Sequence, residues 1–160
     1  MSLLDQPILT MATHRTHAPT LLGLFFAFVL LCPAMESQAQ PYADLVWQQL
    51  QAVNGIAEQE GYVSQNYIIG KLSQGQTDNW TMTLYGGYSY VIMGACDGDC
   101  QDVDIRLFDE YGNEIASDVS EDDIPTLEGV VEETAQYTIQ VDMYACSNEP
   151  CYFGLGIFHQ

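Results

Sequence analysis

The polar and apolar positions of this chain fall into two regimes. From 41 to 60, "PYADLVWQQLQAVNGIAEQE", the residues Tyr42, Leu45, Val46, Leu50, Val53, Ile56 and Ala57 recur at three- and four-residue steps, which is the period of an amphipathic helix. Pro41 suits a helix start and Asp44 its first turn. Gly55 weakens the middle, and Gly61 marks the end of the segment. From Tyr62 onward the period drops to two. "NYIIGKL", "WTMTLY", "YSYVIMGAC", "DVDIRLFD", "TLEGVVEE", "QYTIQVDMYA" and "YFGLGIFH" are strand-like runs between turn signals. Trp80, Met82 and Leu84 share one face of their run, which predicts a core position for Trp80. Val103, Ile105 and Leu107 take one face of theirs, with Asp104 and Arg106 on the other. Gly86-Gly87 predicts a two-residue hairpin turn, and "SDVSEDDIP" reads as a polar loop. Turns at intervals of about eight to twelve residues predict an all-β sandwich or barrel behind one short helix.

Upstream, His14, Arg15 and His17 precede an apolar run from Leu21 to Met35 and then "ESQAQ", with small residues at Ser37 and Ala39. A basic start, an apolar middle and a small-x-small end predict a secretory signal peptide over 1–39, cut after Ala39. The run falls short of the roughly 20 residues a bilayer span needs, so no membrane span is expected after removal. The remainder divides into the helix, 40–61, and a β domain, 62–160. Periplasmic or extracellular residence follows, and a monomer is expected.

Charge narrows the partners. Twenty of the twenty-two acidic residues lie in 40–160, with only Lys71 and Arg106 against them, a net of −18. Such a surface repels nucleic-acid phosphates and anionic lipid. It attracts cations or a basic partner, and it also serves solubility.

"CDGDC" and "CSNEPC" place cysteines at both ends of turn-forming stretches. Four cysteines in an exported chain imply oxidation. Three connectivities exist. A tight bend brings the local pairs Cys96–Cys100 and Cys146–Cys151 within disulfide reach, each as the base of a hairpin. Neither pair has the two-residue spacing of a zinc knuckle or of a redox Cys-x-x-Cys motif. The aspartates between and after the first pair, Asp97, Asp99, Asp102 and Asp104, have two readings: oxygens turned toward a shared calcium, or solvated turn carboxylates. The twelve-residue loop of an EF-hand is absent.

The stretch 75–118, "GQTDNWTMTLYGGYSYVIMGACDGDCQDVDIRLFDEYGNEIASD", resembles the bacterial pre-peptidase C-terminal domain. The likeness lies in Asp78 before the aromatic Trp80, in Gly87-Tyr88 at the next strand, in Asp102-x-Asp104 leading to Asp109 and Gly112, and in the small pair Ala116-Ser117. "AQYTIQVDM" resembles the later strand of that family, with Ala135 where glycine is usual. The resemblance implies a jelly-roll-like antiparallel β-sandwich and a strand through Ala116 and Ser117. It also implies a non-catalytic module that serves secretion, folding or substrate binding of a secreted peptidase, here a separately encoded one. Its metal-binding relatives hold calcium where an acidic linker meets the sandwich, which implies Glu58 and Glu60 as ligands of an alternative calcium site. No other cofactor is expected.

Catalysis has little to build on. His159 is the only histidine of 40–160, and no phosphate-cradling glycine loop is present. The expected function is a non-catalytic binding or interaction module whose ligand is a protein or polysaccharide. Tyr85, Tyr88, Tyr90, Tyr111, Tyr144 and Tyr152 are candidates for contact if exposed, and for core or rim packing if not.

Overall fold

The computed structural model describes residues 39–160; the expected signal peptide, apart from Ala39, lies outside the described residues. One helix, α1 (Ala39–Gln59), precedes eight strands: β1 (Val63–Leu72), β2 (Thr77–Leu84), β3 (Tyr88–Cys96), β4 (Cys100–Phe108), β5 (Glu114–Asp118), β6 (Thr126–Val131), β7 (Ala135–Cys146) and β8 (Cys151–His159). They form two four-stranded antiparallel sheets, ordered β1-β8-β3-β6 and β2-β7-β4-β5. This is the order of a jelly roll, in which the chain alternates between two packed sheets. Inward residues of both sheets, among them Ile92, Ile105, Ile139, Met143, Phe153 and Ile157, make one core.

The wiring corrects the hairpin expectations. Among consecutive strands only β4 and β5 pair with each other. Gly86-Gly87 joins β2 of one sheet to β3 of the other, so it is an arch between sheets. Gly87 has a φ of 87°, and such a backbone serves an arch as readily as a hairpin. The bends "CDGDC" and "CSNEPC" also cross between sheets. "SDVSEDDIP" starts inside β5: Ser117 and Asp118 pair with Arg106 and Ile105 of β4.

Trp80 departs from its expected place. Its cross-strand partner Ile139 is fully buried, so the alternation faces Trp80 inward. Yet it remains 37 % exposed. β2 is an edge strand, and an inward side chain at the margin of a sandwich has cover on one side only. Trp80→Ala is therefore expected to cost about 1–2 kcal/mol rather than the 3 or more of a buried aromatic, as a urea midpoint would read.

The helix runs through Gly55 and stops at a Schellman turn: Tyr62 N–H donates to Ala57 O at 2.9 Å and Gly61 N–H to Glu58 O at 3.1 Å. Gly61 supplies the required positive φ, 91°. Val46, Leu50 and Ala57 are buried, whereas Leu45 and Ile56, on the same predicted stripe, are exposed. The stripe is wider than the surface it covers. Val46 and Leu50 lie over the outer face of the β1-β8-β3-β6 sheet, against Ala95, Tyr67 and Tyr152. Trp47 meets Tyr67 edge-on, with ring centroids 5.4 Å apart.

Candidate binding surface

Both disulfides form as the local pairs, Cys96–Cys100 and Cys146–Cys151, each with Cα atoms 5.9 Å apart. Because each bend crosses between sheets, the two bonds staple the sandwich shut at one end. Cys100 and Cys146 are opposite each other in the β4–β7 ladder, so the staples are neighbours. Reduction of each is expected to cost about 2 kcal/mol on the chain-entropy model. Peptide mapping checks the pairing; a Cys96–Cys146 peptide would refute it.

Asp97 fastens this end. It is 2 % exposed. Its Oδ1 accepts from the N–H groups of Asp99 and Cys100 at 3.2 and 3.1 Å, and its Oδ2 from Tyr152 N–H at 2.8 Å. These bonds occupy both oxygens. Asp99 is half-buried, and its carbonyl takes both the N–H and the hydroxyl of Ser147. The first bend is thus tied to the second.

Asp102 and Asp104 lie on the outer face of β4, but they are not solvated. Asp102 is 5 % exposed, and its Oδ1 has no hydrogen-bond partner among the described residues. Burial pushes its carboxyl above the usual range, and Glu121 and Asp122 add to the effect. Burial also raises Asp104, helped by Asp102 and opposed by Arg106. The Arg106 guanidinium hydrogen-bonds Asp142 and lies 3.7 Å from both Asp104 and Glu114.

Both groups bind protons more tightly in the folded chain than in the unfolded one. They therefore lower stability as pH rises through the ordinary aspartate value of about 3.9 toward their folded values, and the full cost remains above those. Asp118 moves the other way. The Thr126 N–H, then the Ser120 hydroxyl and N–H, hold it low, so its contribution is lost as pH falls through its folded value. Asp102→Asn is expected to raise stability at pH 7 by about 1 kcal/mol, because it removes a buried charge with an unpaired oxygen. Urea midpoints from pH 4 to 8 should also decline less steeply for the variant; a less stable variant at pH 7 would refute the assignment.

The six residues expected at calcium do not converge. Glu58 and Glu60 are exposed at the C-terminal end of α1, beside the His159 end of β8, whereas Asp97 and Asp99 lie at its Cys151 end. Asp102 and Asp104 belong to the other sheet. Among the described residues, no three His, Cys, Asp or Glu side chains are grouped to hold a metal ion. The alternation along β4, visible in the sequence, already set Asp104 apart from the turn.

The tyrosines are scattered too. Tyr90 is buried, and its hydroxyl donates to Gln65 Oε1 at 2.9 Å. Tyr152 stacks on Tyr42, with ring centroids 6.2 Å apart, and Lys71 Nζ stands 5.8 Å from its centroid. Tyr85, Tyr88, Tyr111 and Tyr144 are exposed, the first two on either side of the Gly86-Gly87 arch. His159 packs edge-on to Tyr88, 4.9 Å between centroids. All four described cysteines are in disulfides.

Periodicity passed over one feature, the side of the sandwich where the edge strands β5 and β6 face each other. An apolar cavity of about 150 Å³ opens there between Leu107, Ile115, Leu127 and Val131. It adjoins a groove of about 320 Å³ whose lip carries Asp109, Glu110, Glu132 and Glu133. Burial, then Glu133, Asp109 and Glu110, raise the Tyr137 phenol in that groove, a sign of its negative potential. Neither hollow is lined by a basic residue.

No family model matches the chain, and no curated protein matches its sequence. Among solved structures, the crystal structure of Aeromonas hydrophila PliG, a periplasmic lysozyme inhibitor of g-type lysozyme, is similar over 63% of this chain and 90% of that one. The TM-score is 0.47 and the sequence identity 16%.

Proposed function

We propose that this chain is an exported, non-catalytic binding module and that its partner is a cationic protein. The observation that carries this reading is the charge of the surface together with the engagement of its few cations. Arg106 is held among Asp104, Glu114 and Asp142, and Lys71 stands over the Tyr152 ring. The remaining carboxylates of 40–160 are left without a basic counterpart among the described residues. A field of one sign steers a partner of opposite sign and repels its own kind. The stapled end supports residence in an oxidising compartment, and no described helix is long and apolar enough to cross a membrane. With the four described cysteines oxidised and His159 packed on Tyr88, the described residues offer binding surface rather than an activated nucleophile.

The test is retention of the chain on immobilised cationic and anionic proteins of matched size. Retention on the cationic set, lost between about 50 and 500 mM salt as screening shortens the field, is expected. Equal retention on both sets would overturn the reading, as would salt-insensitive binding to neutral polysaccharide.

A further inference from the structure

We infer that the opening between β5 and β6 is the recognition site for an extended, lysine- or arginine-bearing segment of that partner, anchored by one aliphatic side chain. This deepens the reading above and rests on it. β6 ends its sheet, so one side of its backbone has no neighbouring strand. Its orientation can be read from its bonds. Val131 C=O accepts from Gly87 N–H on the β3 side at 2.7 Å, whereas Thr126 N–H turns away to Asp118 Oδ2 at 2.8 Å. The two-residue period of a strand then directs the N–H and C=O groups of Glu128 and Val130 outward as well. An added strand can pair with them, and alternate side chains of that strand face the gap between the sheets.

Gly129 shapes that gap. It lies between the inward, buried Leu127 and Val131, opposite buried Tyr90. A Cβ built on Gly129 would meet nothing within 4 Å. The missing side chain leaves the cavity of about 150 Å³, and an apolar cavity near that size admits a benzene-sized group. Glu128, Glu132 and Glu133 stand exposed around it. Aliphatic floor and carboxylate lip together select a segment in which basic and apolar residues alternate.

The probe is a short labelled peptide in which lysines alternate with leucines. Its controls replace leucine by serine, or lysine by glutamate. Anisotropy titrations should show the lysine–leucine peptide binding about tenfold or more tighter than the lysine–serine one, the worth of burying one aliphatic side chain. Gly129→Leu fills the cavity from within. Its backbone is outside the left-handed region, so the variant should melt no lower than the parent while losing that tenfold. Glu132→Lys with Glu133→Lys, on the exposed lip, should weaken binding without touching the core. If Gly129→Leu binds the peptide as the parent does, the site is overturned while the cationic-partner reading stands. If the parent prefers no cationic protein or peptide, both fall. A parent dimer in sedimentation that Gly129→Leu dissociates would assign the opening to a second copy and overturn the inference.

Discussion

Asp97→Ala is expected to lower stability by about 4 kcal/mol. The carboxylate accepts three backbone N–H groups at a site that is 2 % exposed. Hydrogen bonds to a charged group contribute about 1.5–3 kcal/mol each, and a buried donor left unpaired costs its desolvation. One loss is softened, because Cys100 N–H also approaches Asp97 O at 3.2 Å. The Tyr152 N–H has no such reserve. Asp97→Asn separates the roles. Its amide oxygen can still serve the turn, but its NH₂ then faces the Tyr152 N–H, donor against donor. It should retain about half of the lost stability. Urea unfolding of the oxidised proteins checks both. An Asp97→Ala midpoint equal to the parent's would mean that the clasp is made by the disulfides alone.

Gly154→Val is expected to displace α1 on its sheet at a cost of about 3 kcal/mol. A Cβ at Gly154 would lie 2.6 Å from Val46 Cγ1 and 2.8 Å from Leu50 Cδ1, both on fully buried side chains of α1. Overpacking alone costs about 1–3 kcal/mol. Lifting the helix also exposes Val46 and Leu50, each worth about 1.5–3 kcal/mol when buried, so relaxation by lifting is no cheaper. Trp47 reports the outcome, since its ring rests on Tyr67: its emission should shift to the red. A double-mutant cycle with Leu50→Ala should show coupling, with the second truncation costing less in the Gly154→Val background. Additive effects and unchanged emission would show that the helix does not depend on this contact.

Much of the architecture was legible because it is local. The helix followed from a three- and four-residue period, and Gly61 ended it as expected. Seven strands followed from alternation between turn residues. β5 did not: "EIASD" is short, polar and mostly exposed, and only the family resemblance placed a strand at Ala116 and Ser117. The two disulfides followed from cysteines at both ends of tight bends. These features depend on residues within a few positions of one another, where side-chain size, backbone freedom and capping act directly.

Which strand lies beside which was decided elsewhere. Gly86-Gly87 and "CDGDC" carry turn chemistry that suits a hairpin or an arch equally, and the packing of two sheets around one core chose the arch. The same packing put Trp80 at an uncovered margin and buried Asp102 beside Glu121 and Asp122, and Asp104 beside Arg106. It also set Glu58 and Glu60, the linker alternative for calcium, at the other end of β8 from Asp97 and Asp99. The opening at Gly129 has no sequence signature at all, because it is an absence of atoms between strands brought together from four parts of the chain. The sequence by itself determined the helix, the strand faces, the staples and the charge. The tertiary structure alone decided the neighbours, and with them which carboxylates are buried and where the sandwich is open, because burial depends on contacts between residues far apart in the chain.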